Sequence, residues 1–285
     1  MKRGAADPDE RERELLAIGT TDHYRDTDLY DFEYSDRVDD VRWYRAFVGD
    51  RGDNLDVLEL GAGTGRITCP LAEDGHRVIA LDAMPAMLDA LRVRVRDEGL
   101  EDRVRPLQAD MRELPLESAS VEIVIAPFNA LMHLYDWQSL LRCFREVERV
   151  LVPGGAFAFD VQMPDLEWLR WDPEVRHAIT RFVHPRTGEK LVYSTNHTYD
   201  QETQVCHIRI YYDEAPPSGR RFVAPAKPKH LVHLAHRQIF PEEVRMLVAT
   251  AGLQLLALNA DFTDRALREA KESQVAVCGK PRRRA

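Results

Sequence analysis

Three glycines at alternate positions follow a short apolar run near residue 60, and this pattern restricts the fold more than any other feature. Residues 57–60 suit a buried strand, and Gly61, Gly63 and Gly65 come directly after them. Glycine has no Cβ, so a strand that ends in such a loop lets the backbone approach a ligand closely. The pattern predicts a strand, a ligand-binding glycine loop and the start of a helix.

The spacing of these glycines discriminates between classes of ligand. A dinucleotide loop of the form G-x-G-x-x-G would need glycine at position 66, where the chain has Arg66. A nicotinamide-dependent oxidoreductase is therefore the less favoured alternative. The order E-x-G-x-G-x-G from Glu59 to Gly65 instead resembles the motif of class I S-adenosylmethionine (SAM) methyltransferases.

Strand-like and helix-like segments alternate through the first half of the chain. Strands are predicted at 56–60, 77–82, 103–108, 121–126 and 155–161, and helices at 65–74, 85–98 and 137–150. Such alternation implies a parallel sheet with helices on both faces. We predict an α/β fold with a Rossmann-like, seven-stranded, mostly parallel sheet, and an antiparallel β insertion or lid after the fifth strand.

The second half of the chain completes this organisation. Alternating segments at 190–199, 204–213 and 229–239 predict antiparallel strands, after an irregular stretch at 163–189. A helix from Pro241 and two strands near 254–260 and 273–279 would complete the main sheet. Four segments are predicted: an N-terminal helical lid at 1–50, a SAM-binding core at 51–162, a substrate-binding insertion at 163–240, and a C-terminal core segment at 241–285.

Composition narrows the classes of partner and the cellular compartment. The 285 residues carry a formal net charge of −9, whereas nucleic-acid-binding surfaces are usually basic. The cysteines lie far apart in no metal-binding spacing, which indicates reduced thiols: Cys69, Cys143, Cys206 and Cys278. The charged first residues predict no signal peptide, and no run reaches the roughly 18 apolar residues of a membrane span. We expect a cytoplasmic protein without nucleic-acid or membrane partners.

Four consecutive predicted strands end in residues that suit one ligand. Ligands of open α/β sheets bind beyond the carboxyl ends of the strands. Asp82 ends the second strand, where its two oxygens can accept hydrogen bonds from both hydroxyls of a ribose. Asp110 and Met111 follow the third strand and suit an adenine edge, while Ala126 and Pro127 end the fourth. Alone, Asp82 would suit a helix cap and Asp110 a turn; together, the four strand ends favour a cofactor site.

The resemblance to class I methyltransferases covers residues 20–280, including the Pro153-Gly154-Gly155 turn. It implies SAM as the cofactor. The cofactor-binding residues that follow are Tyr34, Glu59, Gly61, Ala62, Gly63, Gly65, Asp82, Ala83, Met87, Asp110, Met111, Ala126 and Pro127.

Segments 29–34 and 128–134 also resemble small-molecule enzymes, including the amino-sugar N,N-dimethyltransferases and the glycine N-methyltransferase type. There an N-terminal tyrosine contacts the methionine carboxylate. Tyr34 matches that position, with Tyr30 as the second choice and lid packing as an equal alternative for either.

His133 is the candidate general base. A hydroxyl or ammonium nucleophile must lose a proton, and His133 follows the fourth predicted strand. It matches a histidine of some amino-sugar N-methyltransferases, although a packing role fits equally well. Asn129 is a candidate for orienting the substrate or the methionine amine, with a turn role as its alternative.

The insertion contains several histidines, of which His230, His233 and His236 stand three residues apart. Neighbours in this series face opposite sides of a strand, so no metal site is expected. A substrate-binding role for His236 or Arg237 is favoured instead.

The sequence therefore predicts an S-adenosylmethionine-dependent methyltransferase that acts on a nitrogen or oxygen of a small-molecule acceptor. A module that binds SAM without catalysis is the main alternative. The insertion would also allow a homodimer, although no residue pattern requires one.

Overall fold

A computed structural model describes residues 8–282. The first seven residues of the predicted N-terminal segment and the last three of the C-terminal segment lie outside the described residues. The described residues form two compact units. The antiparallel unit comprises the chain up to Glu33 and Asp165–Arg237, and the α/β unit comprises Tyr34–Pro164 and the chain from Gln238 onward.

The regular elements of residues 8–282 are numbered along the chain. The helices are α1 (Pro8–Thr21), α2 (Thr27–Tyr34), α3 (Asp39–Gly49), α4 (Thr68–Glu73), α5 (Pro85–Asp97), α6 (Trp137–Val150) and α7 (Pro241–Thr250). The strands are β1 (Asp56–Leu60), β2 (Arg77–Asp82), β3 (Val104–Gln108), β4 (Val121–Ala126), β5 (Leu151–Gln162), β6 (His177–Val183), β7 (Lys190–Tyr199), β8 (Val205–Glu214), β9 (His230–Arg237), β10 (Gln254–Ala260) and β11 (Ser273–Gly279). None of the helices in this range combines the length and the apolarity needed to cross a bilayer.

The α/β unit contains a seven-stranded sheet in the order β10-β11-β5-β4-β1-β2-β3. Strands β1 to β5 are parallel, and β11 runs antiparallel to both β5 and β10. The predicted fold class is confirmed. Strand order reverses at the neighbours β1 and β4, so the crevice beyond their carboxyl ends is where such sheets bind ligands.

Both faces of the central strand β1 are buried. Leu58 and Leu60 belong to one hydrophobic cluster, together with residues of α6 and α7. Val57 belongs to another cluster, together with residues of α3, α4 and α5. Because successive side chains of a strand point to opposite faces, helices must cover both sides of this sheet.

The turn Pro153-Gly154-Gly155 lies inside β5 rather than before it. Pairing with β4 skips from Leu151 to Ala156, so these residues form an irregularity in the strand. Gly154 has a φ of +88°, a conformation that glycine adopts without strain. The predicted start of this strand was therefore four residues too late.

The antiparallel unit contains a four-stranded sheet in the order β6-β7-β8-β9. Helix α1 packs closely on β9, since a Cβ on Gly19 would lie 2.6 Å from the Ala235 Cβ. This sheet confirms the predicted antiparallel insertion. The segment 163–189, predicted to be irregular, contains β6. This edge strand is mostly exposed, so its sequence lacks the alternation of apolar and polar residues that marks a half-buried strand.

Candidate active site

The glycine loop wraps around the carboxyl end of β1. Gly61, Gly63 and Gly65 all have positive φ angles, of +74°, +56° and +92°. The N–H groups of Gly61 and Ala62 both donate to the Leu81 carbonyl, at 2.8 and 2.9 Å. These bonds hold the loop against the end of β2, beside Asp82.

The three glycines meet different surroundings. A Cβ on Gly61 would lie 2.8 Å from the Ala130 Cβ, and one on Gly65 would lie 2.4 Å from Leu91 Cδ1. A Cβ on Gly63 would meet no atom within 4 Å. Gly61 and Gly65 therefore permit close packing within the protein, whereas Gly63 presents bare backbone to open space.

Asp82 lies buried at the end of β2 and connects two loops. One carboxylate oxygen accepts the Gly63 N–H and the other accepts the Met84 N–H, both at 2.8 Å. Burial raises the pKa of Asp82, while these backbone donors act in the opposite direction. Asp82 is not the N-cap residue of α5; that residue is Met84, whose backbone N–H Asp82 accepts.

Glu59 is a second buried carboxyl group in this region. It accepts a hydrogen bond from the Thr68 hydroxyl on α4. Burial raises the pKa of Glu59 to about 8, against the lowering effects of Thr68 and Arg66. The group is therefore mostly protonated at neutral pH and contributes little negative charge.

An ion pair that sequence reasoning missed joins the glycine loop to α3. Arg66 donates to both carboxylate oxygens of Asp40, at 2.8 and 2.5 Å, and to the Arg37 carbonyl at 3.0 Å. Asp40 is only 4% exposed. In the sequence, Arg66 is notable only because it occupies a position where a dinucleotide motif needs glycine. No spacing rule connects it to a carboxylate 26 residues earlier.

The loop after β4 has an unusual backbone. Phe128 and Asn129 both have left-handed φ angles, of +52° and +64°. Such a conformation costs a non-glycine residue about 1 kcal/mol or more and persists only where its surroundings hold it. The Phe128 N–H donates to Asp160 at 2.8 Å, and Asn129 Oδ1 accepts the Gln162 N–H at 2.6 Å.

Asp160 is the hub that holds this loop. Its Oδ1 accepts both the Phe128 N–H and the Tyr44 hydroxyl, each at 2.8 Å. Burial raises the pKa of Asp160 to about 6, while both donors act to lower it. Sequence analysis missed Asp160 and Tyr44, whose only sequence signal is their place at a strand end and on a buried helix face.

Aromatic and cationic groups surround the ring of Phe128. The Tyr34 ring packs edge-on against it with centroids 4.8 Å apart. The guanidinium carbons of Arg66 and Arg37 lie 4.9 and 5.2 Å from its centroid. Tyr34, the predicted contact of the methionine carboxylate, thus lies beside the β4 loop, against the ring that both arginines also approach.

Known proteins match this chain at the levels of domain and fold. Residues 57–155 match the methyltransferase domain family. The CcbJ methyltransferase from Streptomyces caelestis superposes with a TM-score of 0.68 at 25% identity, covering 85% of this chain and 90% of that chain. The chain carries a SAM-dependent methyltransferase domain. The predicted enzyme class is confirmed at the level of this domain.

Two further proteins show how much of this chain resembles known methyltransferases. An uncharacterised methyltransferase of Mycobacterium bovis is 36% identical over 125 residues, which cover 44% of this chain and 46% of that relative. The match thus spans about half the length of that relative. SAM-bound CalS10, an amino pentose methyltransferase from Micromonospora echinaspora, shares the fold, with a TM-score of 0.60, 21% identity, and coverage of 88% of this chain and 96% of that chain.

The methyltransferase domain has a backbone cradle that fits its cofactor class, S-adenosylmethionine. A side chain at position 63 would occupy the open space that Gly63 leaves. Asp82 lies next to this space, and its carboxylate accepts backbone bonds from Gly63 and Met84, with Ala83 as a third backbone donor. A carboxylate has about four acceptor sites, so Asp82 keeps the capacity to accept a hydrogen bond from a hydroxyl group. A polyol such as a ribose matches this set of acceptors.

The remaining candidates for cofactor binding lie at the same edge of the domain, and they differ in burial and in their partners. Asp110 follows β3 and pairs with Arg112, which lowers the pKa of Asp110. Met111 is half-buried there. Met87 is buried on α5, while Ala83 is exposed. Ala126 and Pro127 are buried at the end of β4. Their roles toward a cofactor remain predictions.

The two polar candidates after β4 differ in how they are held. Asn129 uses its Oδ1 to fix Gln162, which supports the turn role and leaves any ligand contact to its Nδ2. His133 ends a 3₁₀ turn at Ala130–His133, with its Nδ1 3.4 Å from the Tyr135 hydroxyl. It is half-buried. The assignment of His133 as the base remains a prediction.

Three substrate candidates belong to the antiparallel unit. Tyr30 lies on α2, and its ring contacts that of His23 at 5.9 Å. His236 and Arg237 are buried at the end of β9, where Arg237 donates to Gln204 at 2.7 Å. Within residues 8–282, no three His, Cys, Asp or Glu side chains come together as a group that could hold a metal ion.

Proposed function

We propose that this protein transfers the methyl group of SAM to a nitrogen or oxygen atom of a small-molecule acceptor. The observation that carries the proposal is the bare backbone of Gly63 beside the buried carboxylate of Asp82. This pair lies beyond the carboxyl ends of β1 and β2, within the matched domain.

When bound, SAM supplies a methyl group on a positively charged sulfur; the nucleophile bonds to the methyl carbon as the bond from that carbon to sulfur breaks. The protein needs to align the reactants and exclude water, and good alignment alone contributes roughly 7–11 kcal/mol. The loop after β4, which Asp160 holds by a hydrogen bond to the Phe128 N–H, suits such positioning. His133 would accept the proton that the acceptor loses.

The small-molecule character of the acceptor rests on charge and on fold likeness. A net charge of −9 disfavours nucleic acid as the substrate. CalS10, which shares the fold, acts on an amino pentose. We further propose a cytoplasmic location, because all four cysteines are buried and unpaired, as expected for a reducing compartment. Homodimer formation remains a prediction.

Calorimetric titration with SAM tests the cofactor site. We expect micromolar binding by the wild-type protein and a loss of about tenfold or more in Asp82→Ala, because a hydrogen bond to a charged group contributes about 1.5–3 kcal/mol. Asp89→Ala is the matched control, since Asp89 is exposed on α5 and pairs only locally with Arg92. Circular dichroism checks that both variants fold.

Two outcomes would overturn the cofactor assignment: no SAM binding by the folded wild-type protein, or equal affinity in Asp82→Ala. If SAM binds, incubation with panels of amines, phenols and sugars, read by a mass gain of one methylene, tests for transfer. SAM binding with no transfer to any acceptor would favour the non-catalytic alternative.

A further inference from the structure

The antiparallel unit contains a cavity of about 570 Å³ that the proposed reaction does not use. The 3₁₀ turn Asp22–Tyr24, helix α2 and the first residues of β7 and β9 surround it. Its walls combine rings with aliphatic side chains: His23, Tyr30, Tyr212, Leu29, Leu191 and Val232. A cavity of this size accommodates a small organic molecule.

The cationic residues that line this cavity are already neutralised. Each arginine or lysine in the lining forms an ion pair with a carboxylate of the same lining: Arg186 with Asp26, Lys229 with Glu189, and Arg25 with Asp22. These pairs leave little positive charge to attract an anion. One further carboxyl group of the lining, Glu33, lacks such a cation.

Glu33 is held in place but has no cationic partner among residues 8–282. Its side chain is 15% exposed, and its Oε1 accepts the Tyr212 hydroxyl at 2.5 Å. Its Oε2 lies 4.0 Å from His23 Nε2, but burial lowers the pKa of His23 to about 4, so that ring is neutral at physiological pH. Within the described chain, no lysine or arginine pairs with Glu33.

We propose that this cavity binds an organic cation, an ammonium group on an apolar or aromatic body, with Glu33 as its counter-ion. A carboxylate removed from water is stabilised by a cation that accompanies it. Aromatic faces attract ammonium groups, and Tyr30 and Tyr212 line the same space. The aliphatic wall would hold the remainder of the ligand.

This cation site does not depend on the proposed methyl transfer. The cation site itself requires only the cavity and Glu33. An anion would face the unneutralised carboxylate, and a neutral polyol would bury hydroxyl groups against the aliphatic wall of Leu29, Leu191 and Val232.

Binding should depend on pH because Glu33 must be ionised to act as the counter-ion. The groups that face it are His23, Asp26, Tyr193 and Tyr212. The pKa of Glu33 is raised to about 7, mainly by burial and in smaller part by Asp26, while the hydrogen bond from Tyr212 acts to lower it. Affinity for a cation should therefore increase between pH 6 and pH 8.

Benzylamine, which is cationic in this pH range, is the probe, and benzyl alcohol is its neutral analogue. Ligand-observed NMR titration should show saturable binding of benzylamine to the wild-type protein, tighter at pH 8 than at pH 6. Glu33→Gln, which keeps an acceptor for Tyr212, should weaken this binding about tenfold and remove the pH dependence. Glu189→Gln, a change to a lining carboxylate that already has Lys229, should weaken it far less.

Three results would overturn the proposal: no saturable benzylamine binding, equal affinity for benzyl alcohol, or unchanged binding in Glu33→Gln. Titration of the same variants with SAM separates this outcome from the proposed function. Normal SAM binding without benzylamine binding would reject the cation site alone. Benzylamine binding without SAM binding would reject the cofactor assignment and leave the cation site standing.

Discussion

At the scale of single residues, the candidate site contains several carboxyl groups, but not all of them carry an uncompensated negative charge. Glu59, Asp82 and Asp160 are all buried, and burial raises the pKa of each. Glu59 is mostly protonated at neutral pH, and Asp40 is neutralised by Arg66. The site can therefore hold several carboxyl groups close together without strong mutual repulsion.

The raised pKa of Glu59 predicts a pH-dependent stability. Between its ordinary value of 4.5 and about 8, Glu59 is ionised in the unfolded chain but protonated in the native protein. The unfolded state thus binds fewer protons, and the free energy of unfolding falls as pH rises, by up to about 1.4 kcal/mol per pH unit from this group. Glu59→Gln should remove that slope.

Urea unfolding at pH 5, 6, 7, 8 and 9 measures this effect. The difference between Glu59→Gln and wild type should grow in favour of the variant up to pH 8 and then stay constant. A constant difference across the whole range would contradict the raised pKa. Glutamine keeps an oxygen that can accept the Thr68 hydroxyl, so the variant isolates the charge.

At the scale of elements, the glycine loop depends on its fit against α5. Gly65 faces Leu91 so closely that any Cβ would overlap it. Gly75, which follows α4, has a similar φ of +97°, but a Cβ added there would meet no atom within 4 Å. The two positions therefore separate the cost of backbone conformation from the cost of steric overlap.

Gly65→Ala should destabilise the protein more than Gly75→Ala. Both variants incur backbone strain of about 1 kcal/mol or more. Only Gly65→Ala must also displace Leu91, which adds about 1–3 kcal/mol, as overpacking does in cores. Chemical denaturation of both variants measures the difference. Equal losses would mean that the loop and α5 adjust without cost.

At the scale of the whole molecule, each unit has its own core, and the two cores differ in size. The cluster of the antiparallel unit centres on four buried residues, Leu191, Ile210, Tyr212 and Leu234. The α/β unit holds two much larger clusters, one against each face of its sheet. Local stability follows the amount of buried apolar contact, so the units should differ in their opening free energies.

Native-state hydrogen exchange tests this difference. Amides of β7 and β8 should exchange at lower free energy than those of β1 and β4. SAM at 100 times its Kd should add about 2.7 kcal/mol to the protection of β1 and β4 if the α/β unit opens by itself. Equal protection in both units, rising together with SAM, would show a single cooperative unit instead.

Most of the main sheet was predictable because its strands are buried on both faces. Such strands appear as short apolar runs, and β1, β2 and β4 lie where the runs at 56–60, 77–82 and 121–126 predicted them. Strand β6 was missed because it is an exposed edge whose partner β7 supplies the pairing. The early start of β5 was missed because the Pro-Gly-Gly sequence suggests a turn.

The sequence by itself determined the sheet, the glycine loop and the methyltransferase class, because these depend on local periodicity and on residues a few positions apart. Only the tertiary structure decided which distant groups meet. Arg66 meets Asp40, Asp160 joins Tyr44 to the β4 loop, and Tyr212 meets Glu33 across 179 residues of chain. Contacts over such separations are set by chain topology, and no local pattern of residues specifies them.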